Sequence, residues 1–346
     1  MTKAQSMDIP HVWQHAGVVI PRKQVGAASS VAGDPCIVWD DTLPGWRMVL
    51  FYEPPGHGQA ICRTPEQVGP GHWEFLGPLR FANPEAILGG HTHKPFIIMT
   101  PDGGNRAARI DGRYGLVTVS TLAGHKVIQQ AWSESLAGPW ELEPDPLLSP
   151  GADGDFDAKH VDAVTAYYFS ERREVLYFYM GYPRQAQARA ISPHGSAQAA
   201  AVRRLGEARA QKLGIILPPC QVPGHWASGW VGGLQLLPGR THRWLGLANA
   251  SPTAPNPGDR ADSREEPPPS LGGFAYCDAD WPVSGWKWMS EPIERIEDVP
   301  AAARAWGEGT NLWRHHILQT ASGSLALFYN SGYYGQEQLY LKQAVE

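Results

Sequence analysis

Cysteine is scarce in this chain. The four thiols, Cys36, Cys62, Cys220 and Cys277, are scattered over 346 residues without CxxC spacing. This disfavours structural zinc and leaves buried thiols as the ordinary reading. No apolar run approaches the length that spans a bilayer, and Met1 to Pro10 lacks the apolar segment of a secretory signal. A cytoplasmic protein without a membrane partner is therefore expected, or a secreted one if a signal has been trimmed away. No lysine or arginine run is dense enough to make the footprint of a nucleic-acid binder, and the formal net charge is −5, which argues against nucleic acid as a partner. No nucleophilic-serine motif and no phosphate-cradling glycine loop stands out.

What the chain has in abundance is 38 Gly, 31 Pro and 14 Trp, a composition of many short strands and turns around an aromatic interior or cleft. Long helices are not expected. The stretch from Gly33 to Asp41, running on to Arg47 through Tyr52, reads as a hairpin with Asp34 at its entrance: Cys36, Val38 and residues 48–52 have strand character, and residues 40–45 supply the Asp, Pro and Gly of a turn. Residues 59–64 and 73–79 add two more strands, which makes four in about fifty residues, one propeller blade's worth.

The same order returns four times. Copies begin near Lys94, Val161, Gly233 and His316, and the blades lie at about 34–84, 93–146, 161–219, 229–293 and 314–346. The third copy departs from the pattern at Ser196 to Leu213, alanine- and arginine-rich without Pro, which is read as an inserted helix. In the fourth, Ser251 to Ser270 is a long polar loop. The fifth has three strands only, and the Trp-containing segment 12–20 is positioned to supply the missing one, closing the ring and covering two edges. The expectation is an all-β fold, a five-bladed β-propeller over residues 1–346 as a single domain, closed by an N-terminal strand.

In a propeller the first strand of each blade lines the central channel, and its entrance opens on one face together with the loop joining strands two and three. Aligning the blades on those strands sets Asp34 level with Lys94, Asp162, Val231 and Arg314. Two carboxylates and two cations then converge, and charges so placed are either mutually paired or held for a ligand. His91 and His93 are expected to line the pocket, while Trp46, Trp226, Trp230, Tyr333 and Tyr334 fall where rings could stack on a sugar.

Asp34-Pro35-Cys36-Ile37 with its hairpin, Val161-Asp162-Ala163, the segment from Ala131-Trp132-Ser133 to Gly138-Pro139-Trp140-Glu141, and His315-His316-Ile317 together resemble the five-bladed propeller glycoside hydrolases, family 43 and its clan relatives. The resemblance implies a glycosidase, inverting by expectation, acting on a terminal or short-chain glycosidic bond, furanosidic bonds included, with Asp34 as general base and Asp162 orienting the acid and tuning its pKa. It implies a small carbohydrate substrate contacted by His93, Lys94, Trp226, Trp230, Arg314 and Glu337. No cofactor is required, though a Ca²⁺ or Na⁺ in the channel near His315 is implied.

One departure stands out. The family's acid is a glutamate near the start of the fourth blade, and residues 215–248 contain no Asp or Glu. His225 is the nearest proton donor, with a parallel in relatives acting on anhydro-galactosides, and Glu337, Glu53 and Asp157 are the other donors on that face. A propeller that binds carbohydrate without cleaving it, and a glycoside phosphorylase holding phosphate on Lys94, Arg314 and His315, are the competing readings.

Overall fold

The structure is a computed structural model and describes residues 7–10, 12–26, 31–53, 56–184, 195–252, 270–293, 300–301, 312–320, 322–332 and 336–345. After strand β1 (Trp13–Ile20) the chain builds five antiparallel sheets in succession. Blade I holds β2 (Val31–Asp40), β3 (Gly45–Glu53), β4 (Gly56–Cys62) and β5 (Trp73–Pro78). Blade II holds β6 (Thr92–Ile97), the short β7 (Arg109–Ile110), β8 (Arg113–Leu122), β9 (His125–Ser133) and β10 (Glu141–Leu142). Blade III holds β11 (His160–Phe169), β12 (Glu174–Tyr182), β13 (Ala197–Arg204) and β14 (Gln211–Leu217). Blade IV holds β15 (Trp230–Pro238), β16 (Trp244–Ser251), β17 (Leu271–Cys277) and β18 (Lys287–Pro292). Blade V holds β19 (Leu312–Gln319), β20 (Leu325–Ser331) and β21 (Gln338–Ala344).

The inner strands β2, β6, β11, β15 and β19 touch one another in a closed cycle, so the five sheets form a five-bladed β-propeller. Its fourth strand in blade V is β1, antiparallel to β21 from Trp13 opposite Ala344 to Ile20 opposite Leu339. That pairing joins the two ends of the chain and covers an edge of each. Burial follows position in the blade. Strands inside a blade have neighbours on both faces, and β12, EVLYFYMGY, the second strand of blade III, is buried at every residue; outermost β5, WEFLGP, alternates between more and less covered because only one face is packed.

The helix expected over Ser196 to Leu213 is absent. That segment is β13 and β14, joined by a turn at Gly206 with φ +93°. Ala199, Ala200 and Ala201 lie opposite Tyr179, Phe178 and Tyr177 of β12 and are all buried. Beside such large rings the sheet needs small side chains, and this packing overrides alanine's preference for helix. The strand expected at residues 189–192 and most of the polar loop 251–270 lie outside the described residues.

Each inner strand is interrupted near its start by a bulge, marked by register shifts after Gly33, His93, Asp162, Gly232 and Trp313. The residue that follows is left-handed in every blade: Asp34 at φ +52°, Lys94 at +53°, Ala163 at +49°, Gly233 at +64° and Arg314 at +50°. Four of the five are not glycine, although this region disfavours other residues, and such strain clusters at functional sites. The bulge corrects the blade alignment. Asp162 stands one residue before the position of Asp34, level instead with Gly33, His93, Gly232 and Trp313, and Val231 stands two before it. An alignment on the onset of apolar strand cannot register a single extra residue.

Candidate active site

The bulges turn their side chains into a cavity of about 310 Å³ at one end of the ring axis, which Asp34, Lys94, Asp162 and Arg314 all line. Asp34 is held from the neighbouring blade. Its backbone N–H donates to Asn330 Oδ1 at 2.7 Å, and Asn330 Nδ2 donates back to Asp34 Oδ1 at 3.0 Å. The Arg314 Nε lies 3.9 Å from the same oxygen. Blade IV repeats the device on blade V, where the Arg314 N–H donates to Asn249 Oδ1 at 2.7 Å. In both cases an asparagine near the end of a second strand secures the left-handed residue of the next blade, which offsets the strain of the bulge.

Asp162 is fully buried and belongs to a cluster of charges. Lys94 Nζ donates to both of its carboxylate oxygens at 2.7 Å, Lys126 Nζ to Oδ2 at 2.7 Å, and the Ala163 N–H to Oδ1 at 2.7 Å. Burial pushes the Asp162 carboxyl up, but the Lys126 and Lys94 ammonium groups outweigh it and hold the group well below the usual range, so it is a carboxylate. Burial brings Lys94 down to about 8, against the pull of Asp162. Burial, with Lys126 and Lys94 nearby, holds His93 well below its usual range and therefore neutral. His160, whose Nδ1 accepts from the Lys126 N–H at 3.1 Å, is brought down to about 4 by burial and Lys126.

Two further carboxylates line the wall. Glu337, with its backbone carbonyl accepting from the Ala32 N–H at 3.0 Å, is 8% exposed. Glu53 stands half exposed, 3.8 Å from His91 Nε2. His91 and His93 both line the pocket, packed edge-on to Phe51 at centroid distances of 5.9 and 6.1 Å. Opposite them Trp230 and Trp313 stack at 5.2 Å and 26°. The pocket thus combines four carboxyl groups, three cations, two imidazoles and two indole rings.

Several expected residues lie elsewhere. His225 is outside this lining: its Nδ1 accepts from the Ala227 N–H at 3.1 Å, which puts the proton on Nε2, and Nε2 donates to the Met289 carbonyl at 3.0 Å. Both nitrogens serve the backbone, so His225 is not available as the acid. Trp226 is buried beside it, edge-on to Trp288, and donates to the same carbonyl. It does not face sugar. Asp157 is also away from the pocket, taken up by Lys212 Nζ at 2.7 Å and Tyr179 Oη at 3.0 Å. Trp46 is core, and Tyr333 and Tyr334 lie outside the described residues.

His315 lies deeper on the axis, where its Nδ1 accepts from Asn249 Nδ2 at 2.6 Å and its ring stacks on Tyr329. The small cavity there, about 10 Å³, is lined by Arg314, His315, His316, Gln235 and Thr165. A guanidinium and two imidazoles do not make the oxygen-rich cage that Ca²⁺ takes. Among the described residues no three His, Cys, Asp or Glu side chains are grouped to hold a metal.

Lys126, Asn330 and Trp313 belong to the site without having been singled out by motif. Lys126 does follow the turn between strands two and three, where the fold opens on this face. Gly33 is bound to the site by sterics, since a Cβ there would sit 2.6 Å from Asn330 Nδ2. Gly33→Ala is expected to cost about 1–3 kcal/mol through overpacking and to lower turnover by displacing Asn330 from Asp34. Paired melting and activity measurements check this, and wild-type turnover in the variant would refute the clamp.

No protein-family model and no curated protein matches the chain. Solved structures do. An endo-arabinase from Bacteroides thetaiotaomicron VPI-5482 superposes with a TM-score of 0.58 at 13% identity, over 95% of this chain and 98% of that one. An endo-1,4-beta-xylanase from the same organism gives 0.60 at 12%, over 96% and 92%. An alpha-L-arabinofuranosidase from Podospora anserina, solved with cellotriose, gives 0.57 at 12%, over 98% and 99%. At these identities the likeness is one of fold, and it extends along nearly the whole chain.

Proposed function

We propose that the protein hydrolyses a glycosidic bond in the axial pocket, with inversion, Asp34 acting as general base and Glu337 as general acid. Asp34 accepts a proton from a water that attacks the anomeric carbon. Glu337 delivers its proton to the departing oxygen, and the second product leaves as an alcohol. The observation that carries this reading is that both carboxyl groups line one pocket of single-sugar scale beside the Trp230–Trp313 stack. Glu337 is enclosed in the pocket wall, where it can meet a leaving oxygen away from bulk water, whereas Glu53 stands half exposed. The named activities of the structural neighbours, all on glycosidic bonds, support the same reaction class.

In this reading Asp162 is not the tuner of the acid. It is the counter-ion that fixes Lys94 and Lys126 at the pocket floor, where their remaining N–H groups can donate to sugar hydroxyls. That occupation also disfavours a phosphorylase. Two of the three cations share the Asp162 carboxylate and the third lies beside Asp34, so each is already committed to an acidic partner in a pocket that would have to admit phosphate.

A panel of aryl glycosides and arabino-, xylo- and manno-oligosaccharides tests this. Turnover is expected without phosphate, unchanged when phosphate is added, and with the product's anomeric configuration opposite to the substrate's by NMR. Phosphate dependence would establish the phosphorylase, and no turnover across the panel with retained sugar binding would establish a non-catalytic binder.

A further inference from the structure

A second cavity of about 330 Å³ opens on the opposite face of the ring, between blades II and III. The strand register fixes its place. Ser120 of β8 pairs with Thr92 near the active site, whereas Tyr114, at the other end of β8, pairs with Ser133 beside this cavity. One lip is the β13–β14 hairpin, including Gly206, Glu207 and Ala208.

Gln130 lines this cavity and is 0% exposed. Its Oε1 accepts from Tyr177 Oη at 2.9 Å and from Arg203 Nη1 at 3.1 Å, while its Nε2 has no partner among the described residues. Flipping the amide would not relieve this, because Arg203 can only donate and would then meet a donor. A buried N–H without an acceptor costs free energy that an incoming oxygen would recover.

The surroundings suit a neutral ligand with one apolar face. Trp132 is half-buried, its Nε1 fixed by donation to Glu143 Oε1 at 2.7 Å, and Glu143 is in turn gripped by Arg203 through both guanidinium ends at 3.0 Å. The Arg113 guanidinium lies over the Trp132 ring at 5.4 Å, on an exposed side chain that makes no ion pair among the described residues. Lining charges cancel, Arg113, Arg203 and Arg204 against Asp111, Glu143 and Glu207. Nothing here draws an ion. An indole platform ringed by amide, carboxylate and guanidinium groups is the chemistry of a polyhydroxylated ring.

We propose that this cavity is a second saccharide-binding site, in which a neutral sugar displaces Arg113 from the face of Trp132 and a sugar oxygen accepts from Gln130 Nε2. The inference stands on this cavity alone and not on the chemistry assigned to the axial pocket. Native electrophoresis through gels containing soluble xylan, arabinan or β-mannan tests it. Retardation by at least one polysaccharide is expected for the wild type, equally for Asp34→Asn and Trp230→Ala, and at least tenfold weaker for Trp132→Ala. Ala208→Trp, an exposed substitution that fills the cavity without touching the core, is expected to abolish it even if Trp132→Ala folds poorly. Loss of retardation in Trp230→Ala, its survival in Ala208→Trp, or no retardation by any of the three polymers overturns the proposal. Turnover by a protein that is not retarded would sink this site and leave the axial reading intact.

Discussion

Asp34→Asn is expected to lower kcat/KM by roughly 100- to 10,000-fold, the usual share of a positioned acid or base, while leaving folding and sugar affinity close to wild type. The substitution is nearly isosteric. The backbone N–H of residue 34 still donates to Asn330 Oδ1, and the new amide oxygen can still accept from Asn330 Nδ2, so the bulge is retained. What is lost is the ability to take a proton from water. Glu337→Gln separates the two roles: an acid variant should lose far less on aryl glycosides with good leaving groups, which depart unassisted, than on natural linkages, whereas Asp34→Asn should lose similarly on both. Steady-state kinetics with the two substrate types, beside ligand-induced shifts in Tm for binding, make the measurement. Activity of Asp34→Asn within about threefold of wild type would remove Asp34 from the mechanism.

The blades were legible in the sequence because strand pattern is local: alternating or continuous apolar runs, Gly and Pro between them, and a Trp near the end of the first, second and fourth copies. The closing role of 12–20 followed from counting strands, since an edge left open in the fifth blade had to be covered. Legibility failed where a local signal competed with packing, as at Ala199 to Ala201, whose small size answers Tyr177 to Tyr179 across the sheet rather than a helical face. It failed again at the bulges, where one left-handed residue moves the register without changing composition. Asn330 illustrates the deepest limit. Its importance lies in a bond to Asp34 across 296 positions of sequence, and no pattern within either strand encodes that contact. Asn249, which reads as a glycosylation sequon with Ala250 and Ser251, is buried and serves Arg314.

Asp162→Asn is expected to be the most destabilising single change in the site. Removing one partner of a buried ion pair costs about 3–5 kcal/mol because the other charge is left uncompensated, and here two ammonium groups lose their shared carboxylate. With an unfolding entropy of about 2.1 cal/mol/K per residue over 346 residues, this corresponds to a fall in Tm of roughly 4–7 °C. The pH dependence identifies the origin. Asp162 is depressed when folded, so its contribution in the wild type is present above the ordinary 3.8 and is lost as pH falls through its folded value. Lys94 is also depressed, to about 8, so the unfolded chain binds more protons than the folded one between about 8 and 10.5, and stability from this group rises with pH across that window. Without Asp162, which pulls Lys94 upward, the window opens at lower pH in the variant. The gap in Tm between variant and wild type should therefore narrow as pH is raised from about 6 to 9, because a neutral Lys94 needs no counter-ion. Thermal melts at constant ionic strength measure it. A gap that stays constant across that range would mean that Asp162 acts only as a hydrogen-bond acceptor for Ala163, and that the charge cluster at the pocket floor contributes nothing to holding it in shape.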